Sequence, residues 1–369
     1  LEILPEPFRT ALAFVVVLGV LVFFHELGHY LAARWRGVHV ERFSVGFGRA
    51  IASWSDRRGM EWRIGWIPLG GYVKLHGQET AEDAPPEVRA QWRPGQTFHE
   101  KSVGDRAIIV AAGPIANFLL AVLMFAALYV SVGRPSATTT VSTVQEDSAA
   151  ARSGMMPGDR IIALDGQPVT RFEEVQRHIQ PRAGTPVAIT VERAGRQQII
   201  NAVPESRATG DRAVGVLGIG AGAAEFERLD PISALWGGTV QTADLTVQTL
   251  AAVWQMISGG RGAEELGGPL RIAQMSGQVA EMGVSSLISF MAVLSVNLAL
   301  INLFPIPVLD GGHLMFYAAE AIRGRPLPQR AQEIGFRAGF ALLITLFVFA
   351  TWNDLSQLGF VRWATALFG

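Results

Sequence analysis

The chain has no cysteine, which excludes disulfides and thiolate ligands and leaves His, Asp and Glu for any metal it holds. It has almost no net charge. Its 31 basic and 32 acidic residues give −1 at pH 7, so no global field draws it to nucleic acid. Charge itself is scarce at 17% of residues, against 49% hydrophobic and a mean hydropathy of +0.28. That is too apolar for an ordinary soluble chain of 369 residues and fits a mixed membrane and soluble architecture. Lysine occurs only at Lys74 and Lys101, so the remaining cationic side chains are arginines.

An H-E-x-x-H motif, His25-Glu26-Leu27-Gly28-His29, closes an apolar run from Ala11 to Phe24. Helix residues four apart share a face. His25 and His29 can therefore bind one Zn²⁺, with Glu26 beside them as general base. Chance matches to so short a motif are common, but its position argues against chance. Ionisable side chains at membrane depth are costly unless paired, metal-bound or lining a wet cavity. The apolar run is not a cleaved signal peptide, because the motif is embedded in its end.

Four segments read as membrane spans, near Ala11–Ala33, Ala107–Val132, Leu287–Leu309 and Ala338–Trp352. The expected fold class is thus a polytopic α-helical membrane protein with about four transmembrane helices. Twelve Lys and Arg lie in the segment between the first two spans. Arg323, Arg325, Arg330 and Arg337 lie in the loop before the fourth. Both loops are expected to be cytoplasmic, with the long segment between the second and third spans outside.

Within the first loop, Glu61–Ile67 and Tyr72–Leu75 flank Pro68-Leu-Gly-Gly71, which reads as a membrane-associated β-hairpin near 61–75. Residues 78–100 are polar and proline-rich and read as loop. The outside segment contains Pro157-Gly-Asp159, a strand at Arg160–Leu164 and Asp165-Gly166. A helix at Phe172–Ile179 and strands at Pro186–Arg193 and Gln197–Val203 follow. It resembles an inserted PDZ domain of α+β class. A strand at Val214–Ile219 in the place of the usual first strand implies circular permutation. Residues 231–257 are amphipathic and read as a helix lying on the membrane rather than a fifth span.

The third span ends in Asn302-Leu-Phe-Pro-Ile-Pro-Val-Leu-Asp310-Gly-Gly-His313. A catalytic zinc takes three protein ligands and keeps one position open, and Asp310 is the candidate third ligand. Alone, it reads as a cap or turn residue in Asp-Gly. Paired with the histidine motif, it becomes the second of two polar sites at the cytoplasmic ends of apolar spans. Pro305 and Pro307 break the helix and shape a cavity. Asn302 can donate to a developing oxyanion. His313 reads as a loop or interface histidine, and His39, His76, His99 and His178 are assigned no role.

These motifs, together with Gly46-Phe-Gly48, Pro68-Leu-Gly-Gly-Tyr-Val-Lys74, Gly113-Pro-Ile-Ala-Asn117 and Gly268-Pro269, resemble the site-2 proteases. These are intramembrane zinc metalloproteases, and the likeness is to their bacterial regulator-of-sigma-E group. The resemblance implies His25, His29 and Asp310 as zinc ligands, Glu26 as catalytic base and Asn302 as a substrate contact. It also implies that Gly70, Gly71, Tyr72 and Val73 of a membrane-reentrant hairpin add a strand to the substrate. Its implied substrates are single-span membrane proteins, such as an anti-sigma factor after a first external cut, or remnant signal peptides. The implied setting is regulated intramembrane proteolysis in a bacterial inner membrane, with the lipid bilayer as partner, the active site near the cytoplasmic side and the PDZ domain periplasmic. Members from enteric bacteria carry two PDZ domains, and one signature is found here.

The expected organisation is a first span with the zinc motif at 1–35, a cytoplasmic loop at 36–105 and a second span at 106–132. A PDZ domain at 133–225 and amphipathic surface helices at 226–286 follow. The third span with its Asp motif occupies 287–313, a cytoplasmic loop 314–337, the fourth span 338–356 and a tail 357–369. The rival readings are a non-proteolytic membrane zinc-binding protein and a PDZ scaffold with an inactive site.

Overall fold

The computed structural model describes residues 5–57, 59–78, 85–90, 92–209, 212–222, 224–259 and 267–357. The tail expected beyond Gln357, and parts of the 78–100 loop and of the 226–286 segment, lie outside these. In chain order the elements begin with α1 (Glu6–Trp35), β1 (Val40–Ser55), β2 (Glu61–Leu75), α2 (Pro86–Arg89) and α3 (Val103–Ser131). A β-rich stretch follows with β3 (Arg134–Ala137), β4 (Val141–Val144), α4 (Ala149–Arg152), β5 (Arg160–Leu164), β6 (Gln167–Pro168) and α5 (Phe172–Ile179). It continues through β7 (Val187–Arg193), β8 (Arg196–Ala202), β9 (Glu205–Thr209), β10 (Arg212–Val216), β11 (Ile219–Ala221) and β12 (Ala224–Glu227). The chain then returns to helix in α6 (Pro231–Ile257), α7 (Pro269–Glu281), α8 (Val284–Leu303), α9 (Asp310–Arg323) and α10 (Gln329–Gln357). Two compact units result. One is residues 1–128 with 231–369, and the other is residues 129–230.

In the helical unit, α1, α3, α8 and α10 are long and apolar enough to cross a membrane. Among the described residues they are the four that qualify, which makes this a membrane protein. α6 has the length but is too polar, as its Thr, Gln and Asp244 suggest. α1 opens with Glu6 and Pro7, an acid and a proline in its first turn. Its buried residues Val17, Leu21, His25, Gly28 and Ala32 recur every three or four positions. That stripe packs Val17 and Leu21 with Leu120 of α3 and Met291 of α8. α8 stops at Leu303, earlier than the span end read at Leu309, because Pro305 and Pro307 remove amide donors just beyond it. α10 begins nine residues before Ala338, at Gln329, so the 314–337 segment is largely helical rather than loop.

The 61–75 segment corrects the hairpin expectation. Its two arms do not pair with each other. Phe43, Ser44 and Val45 pair with Val73, Tyr72 and Gly71 on one side and with Trp62, Arg63 and Ile64 on the other. The second half of β1, Ala52 to Ser55, then covers the far side of Ile64 to Glu61. Residues 40–47 therefore lie between the two arms, and 71–75 is an edge strand. The glycines around Pro68 carry the chain across to that edge, where a simple two-strand turn was expected. β1 itself went unread in the sequence. Phe43 is buried in a cluster with Tyr30 of α1, Met60 and Ile109 of α3, which ties this sheet to the zinc-motif helix. His76 anchors the end of β2. Its Nδ1 lies 2.7 Å from Glu41 Oε1, and its Nε2 accepts the Arg93 N–H at 2.9 Å.

The β-rich unit has a four-stranded sheet in the order β6-β5-β7-β8. Its core holds Val141, Ile161, Leu164, Val175, Val187, Ile189 and Val191, all essentially inaccessible to solvent. β7 alternates inward Val187, Ile189 and Val191 with half-buried neighbours, the period-two pattern of a strand over a core. The strand expected at Val214–Ile219 divides at Leu217-Gly218. Val214 belongs to β10, which pairs with β9, whereas Ile219 starts β11, which pairs with β4. Asp159 in the Pro-Gly-Asp turn accepts from Arg193 Nε at 2.6 Å and from the Met156 N–H at 2.9 Å. The guanidinium holds its carboxyl below the usual carboxylate range. His178, left without a role, lies 2.9 Å from Asp165.

Candidate metal centre

α1 places His25 and His29 one turn apart with their rings edge to face, centroids 4.9 Å apart. The chain between α8 and α9 brings Asp310 to them. Val308 reaches φ 100°, a rare conformation for a β-branched residue that costs about 1–3 kcal/mol and needs its surroundings to hold it. Two residues later, Asp310 is the first residue of α9. His25 Nε2 and His29 Nε2 are 3.2 Å apart. Asp310 Oδ2 lies 3.2 Å from the first and 3.5 Å from the second.

These residues fit a zinc ion. Bonds of ~2.0–2.1 Å in tetrahedral array put ligand atoms ~3.3–3.4 Å apart, within about 0.2 Å of the 3.2, 3.2 and 3.5 Å edges here. Asp310 Oδ2 is buried and accepts no hydrogen bond, an arrangement that leaves a carboxylate oxygen uncompensated unless a cation joins it. His29 Nδ1 lies 2.9 Å from the Ile109 carbonyl. The ring donates there through Nδ1–H, so its Nε2 presents a lone pair to the cluster. Among the described residues this is the one group of three metal-ligating side chains that converge.

Gly113 of α3 keeps the space open. A Cβ at this position would lie 2.9 Å from His25 Nε2 and closer still to His29 Nε2. Gly113→Val is therefore expected to weaken zinc binding about tenfold or more, the scale of an overpacking cost of about 1–3 kcal/mol. Gly19→Val on α1, where a Cβ meets nothing within 4 Å, should leave zinc content unchanged. Metal analysis of the two purified variants compares them.

A cavity of about 960 Å³ opens on this cluster. Every candidate site residue lines it: His25, Glu26, His29, Gly70, Gly71, Tyr72, Val73, Asn302 and Asp310. The edge strand runs past Glu26. Val73 lines the cavity together with Glu26, and a Cβ on Gly71 would meet Glu26 Cγ at 2.9 Å and Ser44 O at 2.6 Å. Only glycine lets the strand approach this closely. Asn302 lines the cavity and donates one amide N–H to Leu298 O at 3.0 Å, so its amide has a second N–H to offer. His313 belongs to the same wall, on α9 rather than in a loop, its ring tilted against Tyr317 and Phe336. Arg106 and Glu320 pair at 2.7 Å on the wall, with the guanidinium over the Tyr317 ring.

Sequence reasoning missed the part played by α3. Ile109, Gly113 and Asn117 all touch the histidines. The signal was a spacing of four between them, which places all three on one helix face.

The chain matches the model of peptidase family M50 over residues 13–346. A protein of Agrobacterium fabrum that bears the name of a zinc metalloprotease is 45% identical, covering 94% of this chain and 95% of its own. The metalloprotease MmpA of Caulobacter vibrioides is 38% identical, covering 95% and 96%. The regulator of sigma-E protease RseP of Salmonella typhimurium is 32% identical, covering 94% and 98%. A PDZ domain of an SdrC-like protein from Listeria innocua covers 24% of this chain and 99% of its own, at 22% identity and TM-score 0.21. The relatives decide against the non-proteolytic rivals. With the family model spanning nearly the whole chain and relatives matched along their full length, this membrane protein belongs to peptidase family M50 and is a zinc metalloprotease.

Proposed function

We propose that the protein hydrolyses peptide bonds within or beside transmembrane segments of single-span membrane proteins, at a zinc ion held by His25, His29 and Asp310. The observation that carries this reading is the meeting of three ligand atoms at 3.2–3.5 Å where apolar helices end, inside one cavity with a buried carboxylate. When bound there, zinc polarises the scissile carbonyl and makes an attacking water acidic. Glu26, on the cavity wall beside the edge strand, takes the proton of that water and passes it to the leaving amine. The free amide N–H of Asn302 meets the oxyanion as it develops. A substrate helix hides its amides and must unwind, and the 71–75 edge offers it a strand to pair with.

The β-rich unit acts as an external PDZ filter that admits trimmed substrates. The 36–105 and 314–337 segments face the cytoplasm of a bacterial inner membrane, and the 71–75 edge strand dips into the bilayer. α6 lies in the membrane plane, where Trp236 and Trp254 are exposed. An anti-sigma factor already cut outside, or a remnant signal peptide, meets these requirements, and the name of the Salmonella relative supports the first. The test compares metal content and cleavage of a single-span substrate by the wild type and Glu26→Gln. The variant should keep its zinc and lose about 10²–10⁴ in turnover, the contribution of a positioned acid–base group. Wild-type turnover by Glu26→Gln, or full turnover by zinc-free protein, would overturn the reading.

A further inference from the structure

Imidazole has two nitrogens, and only one carries the proton in the neutral ring. A neutral histidine that binds zinc through Nε2 carries its proton on Nδ1 and almost always donates it to an acceptor. The reading of His25 and His29 as ligands therefore calls for an acceptor behind each ring. His29 has one in the Ile109 carbonyl, 2.9 Å from its Nδ1. Behind His25 stands Asn117, fully buried, with its amide nitrogen 3.3 Å from His25 Nδ1. Its carbonyl Oδ1 is buried with no hydrogen-bond partner. A half turn of the amide exchanges two groups of nearly the same shape. It places Oδ1 on the ring nitrogen, where a proton awaits an acceptor.

The geometry points to Asn117 as the positioning residue that fixes His25 in its Nδ1–H form, so that α3 sets the tautomers of both histidines. Ile109, Gly113 and Asn117 recur every four residues. The face they form reads as an acceptor for His29, a gap for both Nε2 atoms, and an acceptor for His25. The backbone at Asn117 is itself pinned, because Ser295 Oγ of α8 donates to the Asn117 carbonyl at 2.8 Å. The side chain thus sits on a fixed base, between the helix that carries the histidines and the helix that leads to Asp310. With Nδ1–H engaged on both rings, both Nε2 lone pairs turn toward Asp310 Oδ2, the spacing described above. This inference rests on the proposed ligand set.

The test measures zinc affinity of the purified full chain by competition with a chromophoric chelator. Asn117→Leu keeps the volume and removes the acceptor, and should weaken zinc about 10–100-fold. Asn117→Asp keeps an acceptor at the same reach and should stay within about threefold of the wild type or bind more tightly. Equal loss in both variants, or wild-type affinity in Asn117→Leu, would overturn the assignment. His25→Ala separates this from the ligand reading: unchanged affinity there would refute His25 as a ligand and leave Asn117 nothing to position. Nitrogen-15 NMR of the zinc-loaded wild type, labelled at histidine, serves where Asn117→Leu fails to fold. A protonated Nδ1 and metal-bound Nε2 on both motif histidines is the expected pattern. Coordination of His25 through Nδ1 overturns the proposal.

Discussion

Alanine in place of Asp310 is expected to strip the protein of zinc and reduce cleavage to background, and His25→Ala and His29→Ala to do the same. Zinc sites of four ligands are worth about 10–16 kcal/mol near neutral pH, so one ligand corresponds to about 3 kcal/mol, or roughly 10²–10³ in affinity. Asp310 carries more than a share. Its Oδ2 closes two of the three edges of the cluster, and it is the one anionic ligand. Without it the ion would sit on two neutral imidazoles beside an apolar wall. Asp310→Asn keeps the shape and loses the charge, and should fall between alanine and wild type. Metal content by mass spectrometry and cleavage of a single-span substrate measure both effects on one preparation. An Asp310→Ala protein with full zinc and full turnover would sink the ligand assignment.

Those three residues and Glu26 were legible because their chemistry conflicts with their surroundings. Two histidines, a glutamate and an aspartate at the ends of apolar helices have no cheap structural purpose. Their spacing within α1 followed from helical geometry alone. The meeting of residues 25 and 310 did not. It depends on α8 stopping at Leu303 and on Val308 holding a positive φ. The two prolines announced a break there but not its direction.

The sheet was only half legible. Pro68-Leu-Gly-Gly71 has the composition of a tight turn between two apolar strands. A turn signal, however, says that a chain reverses and does not say which strand it then joins. β1 escaped because Arg42, Arg49, two glycines and three serines interrupt its apolar alternation. Its placement between 61–64 and 71–73 is a long-range choice made by burial of Phe43 against α1 and α3. α3 was legible as an apolar helix, and Gly113 and Asn117 as a motif. What they face was set by packing against α1, which no local pattern encodes. The division of 214–219 into β10 and β11 has a similar origin. Leu217 is buried in the core, where its backbone carbonyl accepts the Ala150 N–H instead of extending either strand.

Proline at Val73 is expected to lower cleavage of a membrane-spanning substrate about tenfold or more while leaving zinc content unchanged. The 71–75 strand is bonded on one side to residues 40–45 and borders the cavity on the other. Val73 borders the cavity together with Glu26, and its amide N–H is the edge donor expected to serve that carboxylate or a substrate strand. Proline removes this donor and stiffens the edge that a substrate strand would join. The substitution therefore acts on two functions, and two substrates separate them. A short soluble peptide that reaches the zinc without running along the edge reports on Glu26. It should lose only the few-fold that one missing hydrogen bond of about 1 kcal/mol implies. A transmembrane substrate reports on both and should lose more. Helix-breaking residues in that substrate should raise its cleavage by the wild type, because unwinding must come before pairing. They should help Val73→Pro less, because the edge that would hold the unwound segment has been spoiled. Equal losses on both substrates would assign the effect to Glu26. If in addition substrate helicity made no difference, strand addition would be the wrong mechanism, even with the metal site as described.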